Sequence, residues 1–155
     1  MKDPHSIAFL IPGVVGVAAI LCTLLMHAVP LSATVALVRR ERKRGRAGVR
    51  FWMDTGIVVR AMSYALVAHL VEMAFWAVLF MLCGEFSDFG TAYYHSAVNY
   101  TSLGYGDNDI IMSPAWRLLA PLETANGMLL FGVSAALIFT VVQRLVETRF
   151  SDLKG

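Results

Sequence analysis

Three gaps in the positive charge constrain this chain most. No Lys or Arg falls between Lys2 and Arg39, between Arg60 and Arg117, or between Arg117 and Arg144. Each gap holds an apolar stretch, at about 7–38, 62–83 and 116–142. Each stretch is long enough to cross the hydrocarbon core of a bilayer, which takes about 20 helical residues. With 57% hydrophobic and 15% charged residues, the composition lies outside the usual soluble range. At 155 residues the chain makes one domain, a single all-α membrane domain over 1–155.

The charges between the stretches orient them. The run Arg39-Arg40-Glu41-Arg42-Lys43-Arg44-Gly45-Arg46 is the densest basic segment. The positive-inside rule makes the 39–48 loop cytoplasmic. Three spans then put the N-terminus and the 84–115 loop outside, and the tail with Arg144, Arg149 and Lys154 inside. The outer loop is acidic, with Glu85, Asp88, Asp107 and Asp109. The first stretch is too long for a signal peptide and Asp3 offsets Lys2, so it reads as an uncleaved helix. Beside a membrane span, the basic run suits topology and attraction to anionic lipid, not nucleic acid. Cys22 and Cys83 are too few for a disulfide framework and read as small apolar residues.

Residues 49–61 mix Phe51, Trp52, Ile57 and Val58 with Arg50 and Arg60. That mixture predicts an amphipathic helix at the inner interface before the 62–83 span, separated from the basic loop by Gly48. The segment 88–101 is apolar, aromatic and too short to span, so a re-entrant half-helix is expected. Non-helical backbone is tolerated at membrane depth only where protein buries it or water lines it.

Thr101-Ser102-Leu103-Gly104-Tyr105-Gly106-Asp107 follows that half-helix. Dehydrating potassium takes stacked oxygen rings that replace the ion's water shell. This run can supply them from backbone carbonyls, with the Ser102 hydroxyl at the inner end. Ser102, Leu103, Gly104, Tyr105 and Gly106 form the expected ion-binding filter, the only metal site expected, with K+ on its carbonyls. Glycines tolerate the backbone angles that point successive carbonyls at one axis. The alternative is a glycine-rich surface turn containing a tyrosine, but the flanks fit a pore independently.

These residues resemble the two-helix pore domain of the potassium-channel superfamily. More narrowly, the chain is similar to small bacterial ion-channel proteins with one extra N-terminal helix. The similarity extends from 23–27 in the first stretch through His69-Leu70-Val71-Glu72 and Trp76 to Tyr93-Tyr94-His95-Ser96. It continues past the filter into Trp116-Arg117-Leu118-Leu119, Leu122-Glu123, Asn126-Gly127 and Phe131-Gly132. The resemblance implies a homotetramer in the bacterial cytoplasmic membrane, with four pore loops closing one filter and no cofactor beyond transported K+. It also implies supporting roles for Thr101, Tyr94 and Asp107. The commoner wording has Thr at the position of Ser102, and serine retains the hydroxyl.

In the third stretch Gly127, Phe131, Ala135, Phe139 and Gln143 recur every four residues and share a face. Gly127 and Gly132 resemble hinge positions of pore-lining helices. If that face lines the pore, Phe131 and Phe139 narrow it into a hydrophobic constriction. Alternatively the glycines permit close helix packing and the phenylalanines meet lipid. His69, Glu72, Glu123 and Asn126 are ionisable or polar within spans, so they should face protein or water. They read as a buried network, which His27 could join, or as a proton sensor through His69.

No helix carries the Arg spacing of a voltage sensor. Gating is left to the helices, the filter, lipid or a separate regulatory partner. No nucleophile–base pair marks an enzyme. A potassium-selective channel is the expected function, with a nonselective cation channel or a non-conducting scaffold as alternatives.

Overall fold

The structure, a computed structural model, describes residues 4–104 and 112–151. Among the described residues there are four helices and no strand: α1 Pro4–Lys43, α2 Phe51–Leu82, α3 Phe89–Tyr100 and α4 Leu119–Ser151. Long apolar stretches in three of them, Leu10–Lys43, Phe51–Leu82 and Leu119–Phe150, suffice to cross a membrane. The 12 residues of α3 reach only about 18 Å and do not. The chain is therefore an all-helical membrane protein with three spans and one short helix, as the charge gaps imply.

Two helices run further than the sequence suggests. α1 continues to Lys43, so half of the basic loop is helical. Arg, Glu and Lys are good helix formers, and no glycine interrupts them before Gly45. α2 is a single helix of 32 residues with no break at 61–62, where an interfacial segment was expected to give way to a span. Nothing there can break it: α2 contains no proline, and its one glycine, Gly56, is tolerated. At about 48 Å it exceeds a hydrocarbon core of roughly 30 Å, so part of it must tilt or project.

Helix ends follow one pattern. After α1, the amide of Gly45 donates to the Arg42 carbonyl and that of Arg46 to the Glu41 carbonyl. After α2, the amide of Gly84 donates to Met81 and that of Glu85 to Phe80. Both are Schellman stops, with glycine at the left-handed position at φ 64° and 79°.

The chain divides into two compact units. The first comprises Met1–Met26 and His69–Leu130, and the second His27–Ala68 and Phe131–Gly155. The core of the first unit gathers Met73, Trp76, Phe80, Tyr100, Met112, Leu119 and Leu130. The second has a smaller core of Ala47, Ile57, Val141 and Leu145, with Val38 and Val58 against it. Its turn between α1 and α2 is pinned by Asp54, which accepts from the Gly48 amide at 2.7 Å and pairs with Arg149 at 3.0 Å. Gly48 has φ 81°, and a Cβ there would sit 2.7 Å from the Thr148 Cβ, so only glycine fits.

Candidate functional site

The site is built in the first unit, around the C-terminal end of α3. Asp88 starts this helix as its N-cap, with its carboxylate accepting from the Thr91 amide at 2.8 Å and the Thr91 hydroxyl at 3.1 Å. Those hydrogen bonds, the amide's first, hold the exposed Asp88 carboxyl below its ordinary pKa. Ala92, His95, Ser96, Val98, Asn99 and Tyr100 are buried.

α3 ends in the same motif as α1 and α2, with one substitution. The Ser102 amide donates to the Asn99 carbonyl at 2.9 Å and the Leu103 amide to the Val98 carbonyl at 3.1 Å. Thr101 is the C-cap, and its hydroxyl donates back to the Ala97 carbonyl at 2.6 Å. The left-handed position that glycine takes elsewhere falls here to Ser102, at φ 56°. Among the described residues Ser102 alone combines a positive φ with a side chain. Such a conformation is strained, and strain of this kind concentrates at functional sites. Gly104 returns to positive φ at 78°, while Leu103 between them does not. Opposite signs of φ at successive residues face neighbouring N–H groups one way and their carbonyls the other. Leu103 is 78% exposed on the single chain. Tyr105, Gly106 and Asp107 lie outside the described residues.

Buried hydrogen bonds hold this end of α3 from several sides. The Tyr100 hydroxyl donates to Glu72 Oε2 on α2, and His69 Nδ1 lies 3.0 Å from the same hydroxyl and 3.4 Å from the carboxylate. The Ser96 hydroxyl lies 2.8 Å from the Met73 carbonyl of α2 and 2.5 Å from Glu123 Oε1 of α4. The Thr124 hydroxyl reaches the Asn99 carbonyl at 2.9 Å. Asn126 Nδ2 donates to the Thr23 hydroxyl of α1 at 2.9 Å. Gly127 is buried against the last turn of α3, where a Cβ would collide with the Tyr100 carbonyl oxygen.

The four buried polar residues singled out in the sequence are thus all buried, with different partners: His69 and Glu72 with Tyr100, Glu123 with Ser96, and Asn126 with Thr23. His27, in the second unit, lies 3.0 Å from the Ser134 hydroxyl. Tyr94 is exposed on α3. The four-residue stripe on α4 is not uniform. Gly127 is buried, whereas Phe131, Gly132, Ala135, Phe139 and Gln143 are exposed on the single chain.

Several participants were given no role at the site from sequence. Ser96, Asn99 and Tyr100 share one helical face, from which they meet residues of α2 and α4. Glu85 is another. Its carboxylate accepts from the Ser113 amide at 2.7 Å and from the Ser113 hydroxyl, tying the end of α2 to the segment before α4. No local pattern signals that bond, because its partners are 28 residues apart.

A family model described as ion channel matches residues 66–144. No curated protein and no solved structure matches the chain. The matched region takes in the second half of α2, all of α3 and most of α4, the elements that build and hold the end of α3. With α1 as an additional N-terminal helix, the chain belongs to the two-transmembrane pore family of the potassium-channel type, and is an ion channel.

Proposed function

We propose that the chain forms a potassium-selective channel. Four copies surround one axis, and Ser102, Leu103, Gly104, Tyr105 and Gly106 of each contribute oxygens that replace the ion's water. One chain supplies one pore loop, so closing an oxygen ring takes several copies in cyclic symmetry. Thr101, Tyr94 and Asp107 brace the filter, and K+ on its carbonyls is the only bound metal. The basic run places the turn between α1 and α2 on the cytoplasmic side of a bacterial inner membrane, with the N-terminus outside.

The backbone at 102–104 carries this reading. Positive φ at Ser102 and Gly104, with Leu103 between them, favours successive carbonyls on one side of the segment. A row of carbonyl dipoles on one side suits a cation. Serine in the strained position adds a hydroxyl oxygen to that row, which the glycines ending α1 and α2 lack. The C-terminal end of α3, with its partial negative charge, stands immediately before it. On α4, the exposed stripe Phe131, Ala135, Phe139 and Gln143 lines the conduction path below the filter, with Gly127 and Gly132 above and within it. Two phenylalanines per subunit form a constriction that closes by dewetting.

The test is the reversal potential of the purified chain in planar bilayers under opposing potassium and sodium gradients. Reversal near the potassium equilibrium potential is expected. Reversal near zero would assign a nonselective pore instead. Gly104→Ala puts a side chain at φ 78° and should abolish potassium flux while the oligomer persists. Unchanged flux in that variant would remove 102–106 from the conduction path.

A further inference from the structure

The second unit contains a groove of about 130 Å³ between α1 and α4. Val38, Leu137 and Val141 form its apolar wall, and Arg39, Arg42 and Arg144 line it with them. Arg39 and Arg42 are three residues apart, so they share a face of α1. Arg144 comes to the same groove from α4. All three are exposed. Among the described residues, no carboxylate pairs with Arg39 or Arg42. Arg144 lies 3.5 Å from Glu147, but both side chains are more than half exposed. A pair so open to solvent is weak and leaves the guanidinium available.

Three arginines on the lining of one apolar groove make it a favourable place for an anion. The wall decides which anion. A small free anion gains nothing from Val38, Leu137 and Val141, whereas a lipid acyl chain does. A second copy of this chain is a poor complement. Among the described residues of the same unit, Glu41 is engaged with Arg44 and Arg60 and Asp54 with Arg149, which leaves Glu147 as the one carboxylate open to a second copy. The matching surface of another copy would bring mainly cations.

We propose that this groove binds an anionic phospholipid. Its phosphate sits among Arg39, Arg42 and Arg144, where the planar guanidinium fork matches phosphate oxygens. The upper part of an acyl chain lies against Val38, Leu137 and Val141. The site draws on the additional helix α1 and stands whichever ion the channel passes.

Native mass spectrometry of the full chain in a neutral detergent reads this directly. Phosphatidylglycerol should bind on the order of tenfold more tightly than phosphatidylcholine. The double variant Arg39→Gln, Arg42→Gln should remove that preference. Arg40→Gln with Lys43→Gln removes equal charge from the same run, at residues that do not line the groove, and should keep most of it. Arg144→Gln reads the same site from the other helix and serves if the double variant is poorly folded. Equal losses in both double variants would reduce the effect to diffuse attraction and overturn the proposal. So would an absent preference between the two lipids, or displacement of the lipid by glycerol phosphate at matched concentration. A change in subunit number in Arg39→Gln, Arg42→Gln with lipid binding intact would make the groove a subunit contact, against the proposal.

Discussion

Gly127 and Tyr100 show how finely the end of α3 is held. The Tyr100 carbonyl lies where a Cβ of residue 127 would be, so α4 passes α3 at a distance only glycine allows. Gly127→Ala must push the two apart, an overpacking cost of roughly 1–3 kcal/mol. Thermal unfolding of the detergent-solubilised protein should register it as a lower Tm. A Tm equal to that of the parent would show that the contact yields freely. The Tyr100 hydroxyl raises a different issue. Tyr100→Phe leaves the fully buried Glu72 carboxylate without that donor, at a cost of roughly 1–3 kcal/mol. Glu72→Gln keeps an acceptor oxygen for the tyrosine and should cost less. The reverse order in Tm would mean that the carboxylate, not its hydrogen bond, is what α3 needs. At this scale the sequence was partly readable. Glu72, Glu123 and Asn126 announce themselves as polar residues among apolar ones. Their partners do not, because Ser96, Tyr100 and Thr23 lie far off in the chain and are ordinary in a helix.

Among the elements, α3 depends most on its ends. Twelve residues make a helix too short to persist on propensity alone, so its caps and packing set its stability. Asp88→Ala removes the acceptor for the Thr91 amide and should raise hydrogen exchange at the first turn of α3. Asp88→Asn retains a side-chain acceptor and should protect that turn nearly as well. Equal exchange in all three proteins would show that packing alone holds the turn. Acid should act in the same direction as the alanine variant. The folded carboxyl pKa is depressed, so the cap contributes fully above the ordinary carboxylate pKa and is lost as pH falls through the depressed value. The bounds of α3 are legible from Asp88 and from the glycines beyond Thr101. The unbroken α2 is less so, because residues 49–61 carry interfacial composition and composition does not interrupt a helix. Only a missing donor, a Cβ-free residue or a competing cap could have done so, and the nearest candidate, the Ser63 hydroxyl, donates back to the Val59 carbonyl within the helix.

For the whole molecule, the distribution of arginine predicts an orientation through the positive-inside rule. Single cysteines introduced into a Cys22→Ala, Cys83→Ala background can test it. Arg44→Cys should react with a membrane-impermeant thiol reagent only from the cytoplasmic side, and Asp88→Cys only from the opposite side. Both reacting from one side would invert or break the three-span order. That order could be read from charge gaps alone, since apolar length and basic loops depend on composition. What covers the exposed apolar side chains could not. Phe139 and Leu25, 69% and 73% exposed on one chain, look alike to lipid and to a neighbouring subunit.

The stop at the end of α3 bears on how this protein could be improved in the laboratory. Replacing a strained residue by glycine is a routine route to a hardier protein. A campaign that ranked variants by heat resistance would therefore favour glycine at 102, as already found at 45 and 84. On the reading above, its winners would be sturdier proteins stripped of the hydroxyl that meets the passing ion. On that reading, durability and discrimination pull in opposite directions at that one residue, where the chain keeps the less comfortable choice.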